Sequence, residues 1–158
     1  MCAGPGILKG KTVSTPVATM DMAGTFMDYA DATPEPHMTT RSFRGILEGK
    51  AGAIEDYRPY VSSGLSNFRM VVQQMGEKQY KYICCQGSCP NPPSTAPMPK
   101  DPEGFVEMLI DIIADPYDMK DLAPTHRDVV EKMRPMLPEA YAHGCATAAA
   151  AAPSGQGL

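Results

Sequence analysis

The chain has no tryptophan, and aromatic residues make up only 7% of its 158 positions. Its core therefore has to be built mainly from aliphatic and sulfur-containing side chains rather than from stacked rings. No run of roughly eighteen apolar residues occurs, so no segment has the composition of a membrane-spanning helix. Excess positive charge is missing as well. Fourteen Lys and Arg stand against 18 Asp and Glu, for a net charge of −4, which argues against a nucleic-acid partner. The first residues, Met1-Cys2-Ala3-Gly4-Pro5-Gly6, lack the basic-then-apolar pattern of a signal peptide, and the compartment is left undetermined. Three sequence signatures of chemistry are also absent: a Gly-rich phosphate loop, a His-Glu-x-x-His zinc helix and a Gly-x-Ser-x-Gly elbow.

What is abundant points to turns and loops. Sixteen Pro and 14 Gly imply many chain reversals, and 12 Met read as adaptable core filler. The length suits one ordinary domain. Five cysteines, Cys2, Cys84, Cys85, Cys89 and Cys145, are odd in number and crowded, which fits neither a disulfide framework nor zinc-ligand spacing. Reduced loop or strand thiols are the expectation, with a local disulfide and a metal site as the other readings.

Along the chain, a helix is predicted from Thr19 to Ala30, with Thr19 as N-cap and Ala23, Phe26, Met27 and Ala30 on its buried face. A shorter helix over Ser42–Glu48 would bury Phe43, Ile46 and Leu47 and end at Gly49. Asn67–Met75 and Gln79–Cys84 read as a hairpin turning at Gly76-Glu77-Lys78, with Tyr80, Tyr82 and Cys84 sharing a face. Gln86 to Glu103 is a Pro-rich loop, and Phe105–Ile113 a further strand. Thr125 and Asp128 suggest a capping box for the last helical region, broken at Pro135. Beyond Gly144 the Ala-rich tail is expected to be disordered. The order of elements predicts an α+β fold: a small antiparallel sheet with helices packed on one side.

Titratable residues do not assemble into an evident site. His37 falls in a Pro-rich loop, His126 at a helix start and His143 at a helix end, and all three read as surface or capping residues. Asp111, Asp115, Asp118 and Asp121 look like a carboxylate cluster, but their spacing fits turn formation around Pro116 and not a calcium loop.

Three segments together carry a resemblance. Ser14-Thr15-Pro16-Val17-Ala18-Thr19-Met20-Asp21-Met22-Ala23-Gly24-Thr25-Phe26-Met27-Asp28-Tyr29-Ala30, followed by Arg41-Ser42-Phe43 and Ile46-Leu47-Glu48-Gly49, resembles the sulfatase pattern of a "TPVSTMDLAPTFLDYAG"-type helix leading into "GRSL…LLEG". Arg69-Met70-Val71 and Tyr80-Lys81-Tyr82-Ile83 are similar to that family's "RMV…YKYI" hairpin. Asp115-Pro116-Tyr117-Asp118-Met119 with Asp121-Leu122-Ala123 resembles its near-terminal "DPYEMNNLA" signature. Gly24 stands where the family usually has Pro, and Asp31 where it usually has Gly.

The resemblance implies an alkaline-phosphatase-like fold of which this chain is the C-terminal part. Residues 1–57 would be the tail end of the large α/β domain, 58–143 an antiparallel-sheet subdomain with a terminal helix, and 144–158 a disordered tail. It also implies a formylglycine nucleophile, made from a Cys/Ser-x-Pro-Ser/Ala-x-Arg motif, and a bound calcium. Neither motif nor calcium set can be carried onto this sequence: Cys89-Pro90-Asn91-Pro92 has Asn where Pro is required, and Cys2-Ala3-Gly4-Pro5 fails too. Hydrolysing an unreactive ester demands roughly 10–20 kcal/mol of transition-state stabilisation, so the isolated chain is expected to be inert.

The expected role is therefore structural, with no catalytic or metal-binding residue and no cofactor of its own. The implied partner is an N-terminal catalytic domain, and a sulfate ester would meet the chain only in that context. His37, Arg41 and Asn91 are the candidates for one wall of the substrate pocket, and Arg69 reads as a structural ion-pair partner. Two rival readings remain: an independent non-catalytic binding module using a sheet edge, and a small thiol or metal protein using Cys84, Cys85 and Cys89.

Overall fold

The computed structural model describes residues 2–65, 67–87 and 104–151. The chain divides into two compact units, Met1–Val61 and Ser62–Leu158.

The first unit contains α1 (Asp21–Tyr29) and α2 (Arg44–Glu48) among ordered loops. Helix α2 forms as the sequence suggests. Gly49 follows it at φ 71°, a left-handed conformation in which glycine carries no Cβ penalty. Phe43 and Ile46 are buried, and the Phe43 ring meets the edge of Tyr57 with centroids 6.1 Å apart. Asp31 takes the left-handed position after α1 at φ 53°, a role an Asp side chain tolerates better than most.

Helix α1 departs from its predicted packing. Its N-cap is Met20, with no side-chain capping bond, so Thr19 does not cap it. The buried face is Asp21, Gly24 and Thr25, whereas Ala23 and Ala30 are exposed and Phe26 is 64% exposed. The reason is a returning segment that uses polar groups of α1 to satisfy its own backbone. Gly24 N–H donates to Thr40 Oγ1 (2.8 Å), and that hydroxyl donates to Met20 O (2.9 Å). Arg41 N–H donates to Asp21 Oδ1 (2.8 Å) and Phe43 N–H to Thr25 Oγ1 (3.1 Å). Burying those backbone donors without partners would cost more than exposing one helical phenylalanine.

The second unit is α+β, built on a four-stranded antiparallel sheet in the order β1 (Val61–Leu65), β2 (Phe68–Met75), β3 (Lys78–Gln86), β4 (Phe105–Asp111). The hairpin lies where Gly76 breaks the alternating pattern, pairing Met75 with Lys78 across a two-residue turn. Val71, Tyr82 and Leu109 lie opposite one another on three successive strands, and all three are fully buried. Tyr80 and Cys84 share the Tyr82 face and are buried too, while Cys85, Met108 and Ile110 are buried on the opposite face. The short edge strand β1 has no counterpart in the sequence expectations.

Helix α3 (Arg127–Met133) leads through a 3-10 turn (Arg134–Met136) to α4 (Glu139–Ala151), so Pro135 interrupts the helix as expected. The capping box does not form. The N-cap is His126, without a side-chain capping bond, and Thr125 Oγ1 donates instead to Leu122 O (3.2 Å). The turn before α3 is organised by Asp121, whose Oδ1 accepts from Leu109 N–H (3.0 Å) and Ala123 N–H (2.8 Å). The tail expectation also changes: α4 continues through Ala151, consistent with the high helix propensity of alanine, and 152–158 lie outside the described residues.

The aspartate series behaves as turn formers. Asp111 Oδ1 accepts from Ile113 N–H and Ala114 N–H, Asp115 Oδ2 accepts from Lys120 N–H (2.7 Å), and Asp118 pairs with Lys81. Cys84 and Cys85 are not reduced thiols, while Cys2 is free and exposed as expected and Cys89 lies outside the described residues. Cys84 is bonded to Cys145, 61 positions away, and Cys85 is also disulfide-bonded. The expectation missed this because the partner of Cys84 comes from α4, far along the chain.

Candidate functional site

Among the described residues, the densest polar construction in the first unit surrounds Asp21. Its carboxylate has no solvent exposure, so its charge must be matched inside the protein. Arg58 supplies a two-point clamp, Nε to Oδ2 at 2.6 Å and Nη2 to Oδ1 at 2.7 Å. Tyr57 O–H donates to Oδ2, and Arg41 N–H to Oδ1 at 2.8 Å. These four donors fill the lone-pair directions of the carboxylate.

Burial pushes the Asp21 pKa up, but the bonds from Arg58, Tyr57 and the Arg41 backbone outweigh it and hold the carboxyl below its ordinary range. The Tyr57 phenol is pushed up, first by burial and then by its bond to Asp21. A carboxylate in this state cannot accept a proton from a substrate without surrendering a partner. Its chemistry is anchoring: it ties α1, the 40–43 segment and the Tyr57-Arg58 dipeptide into one piece.

Of the sequence candidates, Arg41 adjoins this anchor through its backbone N–H. Arg41 is exposed overall, yet its Nη1 donates to Tyr57 O at 2.7 Å. His37 is exposed in the loop that precedes it. Asn91 lies outside the described residues. Sequence reasoning missed Tyr57 and Arg58. No local pattern marks them, because their partner Asp21 lies 36 and 37 positions away.

The second unit repeats the design with Glu107 on β4. Its Oε1 accepts from Tyr82 O–H (2.6 Å) and Arg134 Nε (2.8 Å), and its Oε2 from Arg127 Nη2 (2.9 Å) and Arg134 Nη2 (3.1 Å). Burial raises the Tyr82 pKa far above the usual phenol value, and the Glu107 charge adds to the shift. Arg69, expected to form an ion pair, lies with its guanidinium 4.7 Å from the Tyr141 ring centroid.

The first unit also carries an apolar concave surface. A groove of about 460 Å³ runs between the Gly4-Pro5 segment and α1, lined by Met22, Phe26, Tyr29, Phe43 and Leu47. The Tyr29 hydroxyl beside it is buried and has no hydrogen-bond partner among the described residues, while Arg44 stacks 4.6 Å from the ring centroid.

No family model and no curated protein matches the chain. Among solved structures, a crystal structure at 2.40 Å of a "putative sulfatase" from Bacteroides thetaiotaomicron VPI-5482 matches with a TM-score of 0.60. The two are 22% identical, and the match covers 92% of this chain and 30% of that one. The chain thus spans well under two thirds of its neighbour, and the likeness is one of fold.

Proposed function

We propose that this chain is the C-terminal portion of an alkaline-phosphatase-like sulfatase, a sulfuric ester hydrolase, in which it serves as scaffold and not as chemical centre. The observation that carries this reading is a coincidence of sequence and fold. Segments resembling sulfatase signatures follow in order from Ser14 to Ala123, and 92% of the same chain matches in fold 30% of a protein described as a "putative sulfatase".

The buried carboxylate of Asp21 and the largely covered one of Glu107 support a scaffold role, because each is saturated by structural donors. In this reading the formylglycine and the calcium ligands lie in an N-terminal catalytic domain, which is the chain's partner. Residues 1–57 belong to that domain and 58–143 form a sheet subdomain. The exposed apolar side chains of α1 face the partner, and His37, Arg41 and Asn91 contribute to one wall of the sulfate-ester pocket.

The reading is tested on the gene and on the protein. An in-frame Cys/Ser-x-Pro-Ser/Ala-x-Arg motif is expected in the nucleotide sequence upstream of Met1, and the purified chain should not hydrolyse an aryl sulfate. Turnover by the purified chain, abolished by a single substitution within it, overturns the proposal.

A further inference from the structure

We infer that this protein matures in an oxidising compartment, where the Cys84–Cys145 disulfide fastens its last helix to the sheet. Cys84 sits on β3 and Cys145 on α4. Both are fully buried and bonded, with Cα atoms 6.4 Å apart, inside the range that disulfides occupy. A single buried cysteine would be an ordinary small apolar residue. Here two of them meet across 61 positions, and the adjacent Cys85 is in a disulfide as well. Paired structural cysteines of this kind persist where thiols are oxidised and are rare in reducing cytosol.

Among the described residues, the first two turns of the helix also meet the sheet through ring contacts. Tyr141 sits edge-on to Phe105 (6.0 Å), and Phe105 lies so close to Gly144 that a Cβ there would come within 2.4 Å of the ring. From Ala146 to Ala152 the sequence is alanine and a single threonine, all small side chains.

Formation is a thiol–disulfide exchange. The Cys84 and Cys145 thiols lose two protons and two electrons to make the S–S bond, and the disulfide of a protein oxidoreductase is reduced to a dithiol. Because both sulfurs are buried in the folded chain, the exchange takes place before α4 docks, and reductant reaches the bond only after local opening.

The experiment is a disulfide map of the full chain taken from its own cells, acid-quenched, alkylated in denaturant without reductant and digested with trypsin. The expected product joins the peptide Tyr82–Lys100 to Met133–Leu158, in the exported fraction. Cys84→Ser should abolish the joined product, whereas Cys85→Ser should retain it. Mapping reads covalent connectivity, so it remains decisive even if a variant folds poorly. Recovery of both peptides separate and alkylated, from a cytosolic fraction, overturns the inference, as does a joined product that survives Cys84→Ser.

Discussion

Arg58 closes on both oxygens of the Asp21 carboxylate, at 2.6 and 2.7 Å, around a side chain with no exposure to solvent. Removing one partner of such a pair leaves a buried charge uncompensated, which costs about 3–5 kcal/mol. Arg58→Ala should therefore lower the urea midpoint of the chain strongly. Arg58→Lys keeps the charge but loses the planar fork, and should lie between the two. Equal midpoints for all three proteins would show that the clamp contributes nothing.

The same clamp sets an acid limit, and the tyrosines set an alkaline one. The Asp21 pKa is depressed in the folded state, so its contribution is fully present above the unfolded value of about 3.9 and is lost as pH falls through the folded value. Tyr82 and Tyr57 are raised, so their contribution is present below the ordinary phenol value near 10 and is lost as pH rises beyond it. Denaturation midpoints measured from roughly pH 2 to 12 should fall at both ends. Tyr82→Phe should flatten the alkaline limb and leave the acid limb in place; an unchanged alkaline limb in that variant counts against the assignment.

Gly24 separates helix propensity from packing. In an exposed helix interior, Gly→Ala gains about 1 kcal/mol. At this position a Cβ would lie 2.5 Å from Thr40 Oγ1 and 3.1 Å from the Arg41 carbonyl carbon. The Thr40 side chain could swing away only by giving up its bonds to Gly24 N–H and Met20 O. Gly24→Ala should thus destabilise the chain in thermal denaturation. A raised midpoint would show that the returning segment adapts.

How much of this was legible in the sequence depended on the distance over which each feature is determined. The hairpin, α2 with its Gly49 cap and the Pro135 break follow from patterns a few residues long, and all three are present. The polar face of α1 is fixed by the Thr40 hydroxyl and the Arg41 backbone amide, 16 and 20 positions from their partners, so periodicity alone chose the wrong face. Thr125 looked like a cap because of Asp128, but the turn was already satisfied by Asp121 reaching across to β4. Strand β1 has two serines and a glycine at its centre, which gives it almost no strand signature. For the candidate site, Arg41 was visible as a charged residue within a motif, whereas Tyr57 and Arg58 acquire meaning only once Asp21 is seen to be buried between them.

The exposed side of α1 leads to the last prediction. Met20 and Met22 are about half exposed and Phe26 more so, beside a groove lined by Phe43 and Leu47. Apolar surface presented together in this way binds hydrophobic dyes and promotes association. The purified chain should therefore enhance the fluorescence of such a dye and self-associate at high concentration. Because Phe26 is exposed, Phe26→Ser should reduce both effects while leaving the stability within about 0.5 kcal/mol. Met22→Ser should act in the same direction, and the double variant should be the most soluble of the set. A wild-type chain that sediments as a monomer at every concentration and binds no dye would mean that this surface is closed in solution, and the scaffold reading would lose the face through which it meets its partner.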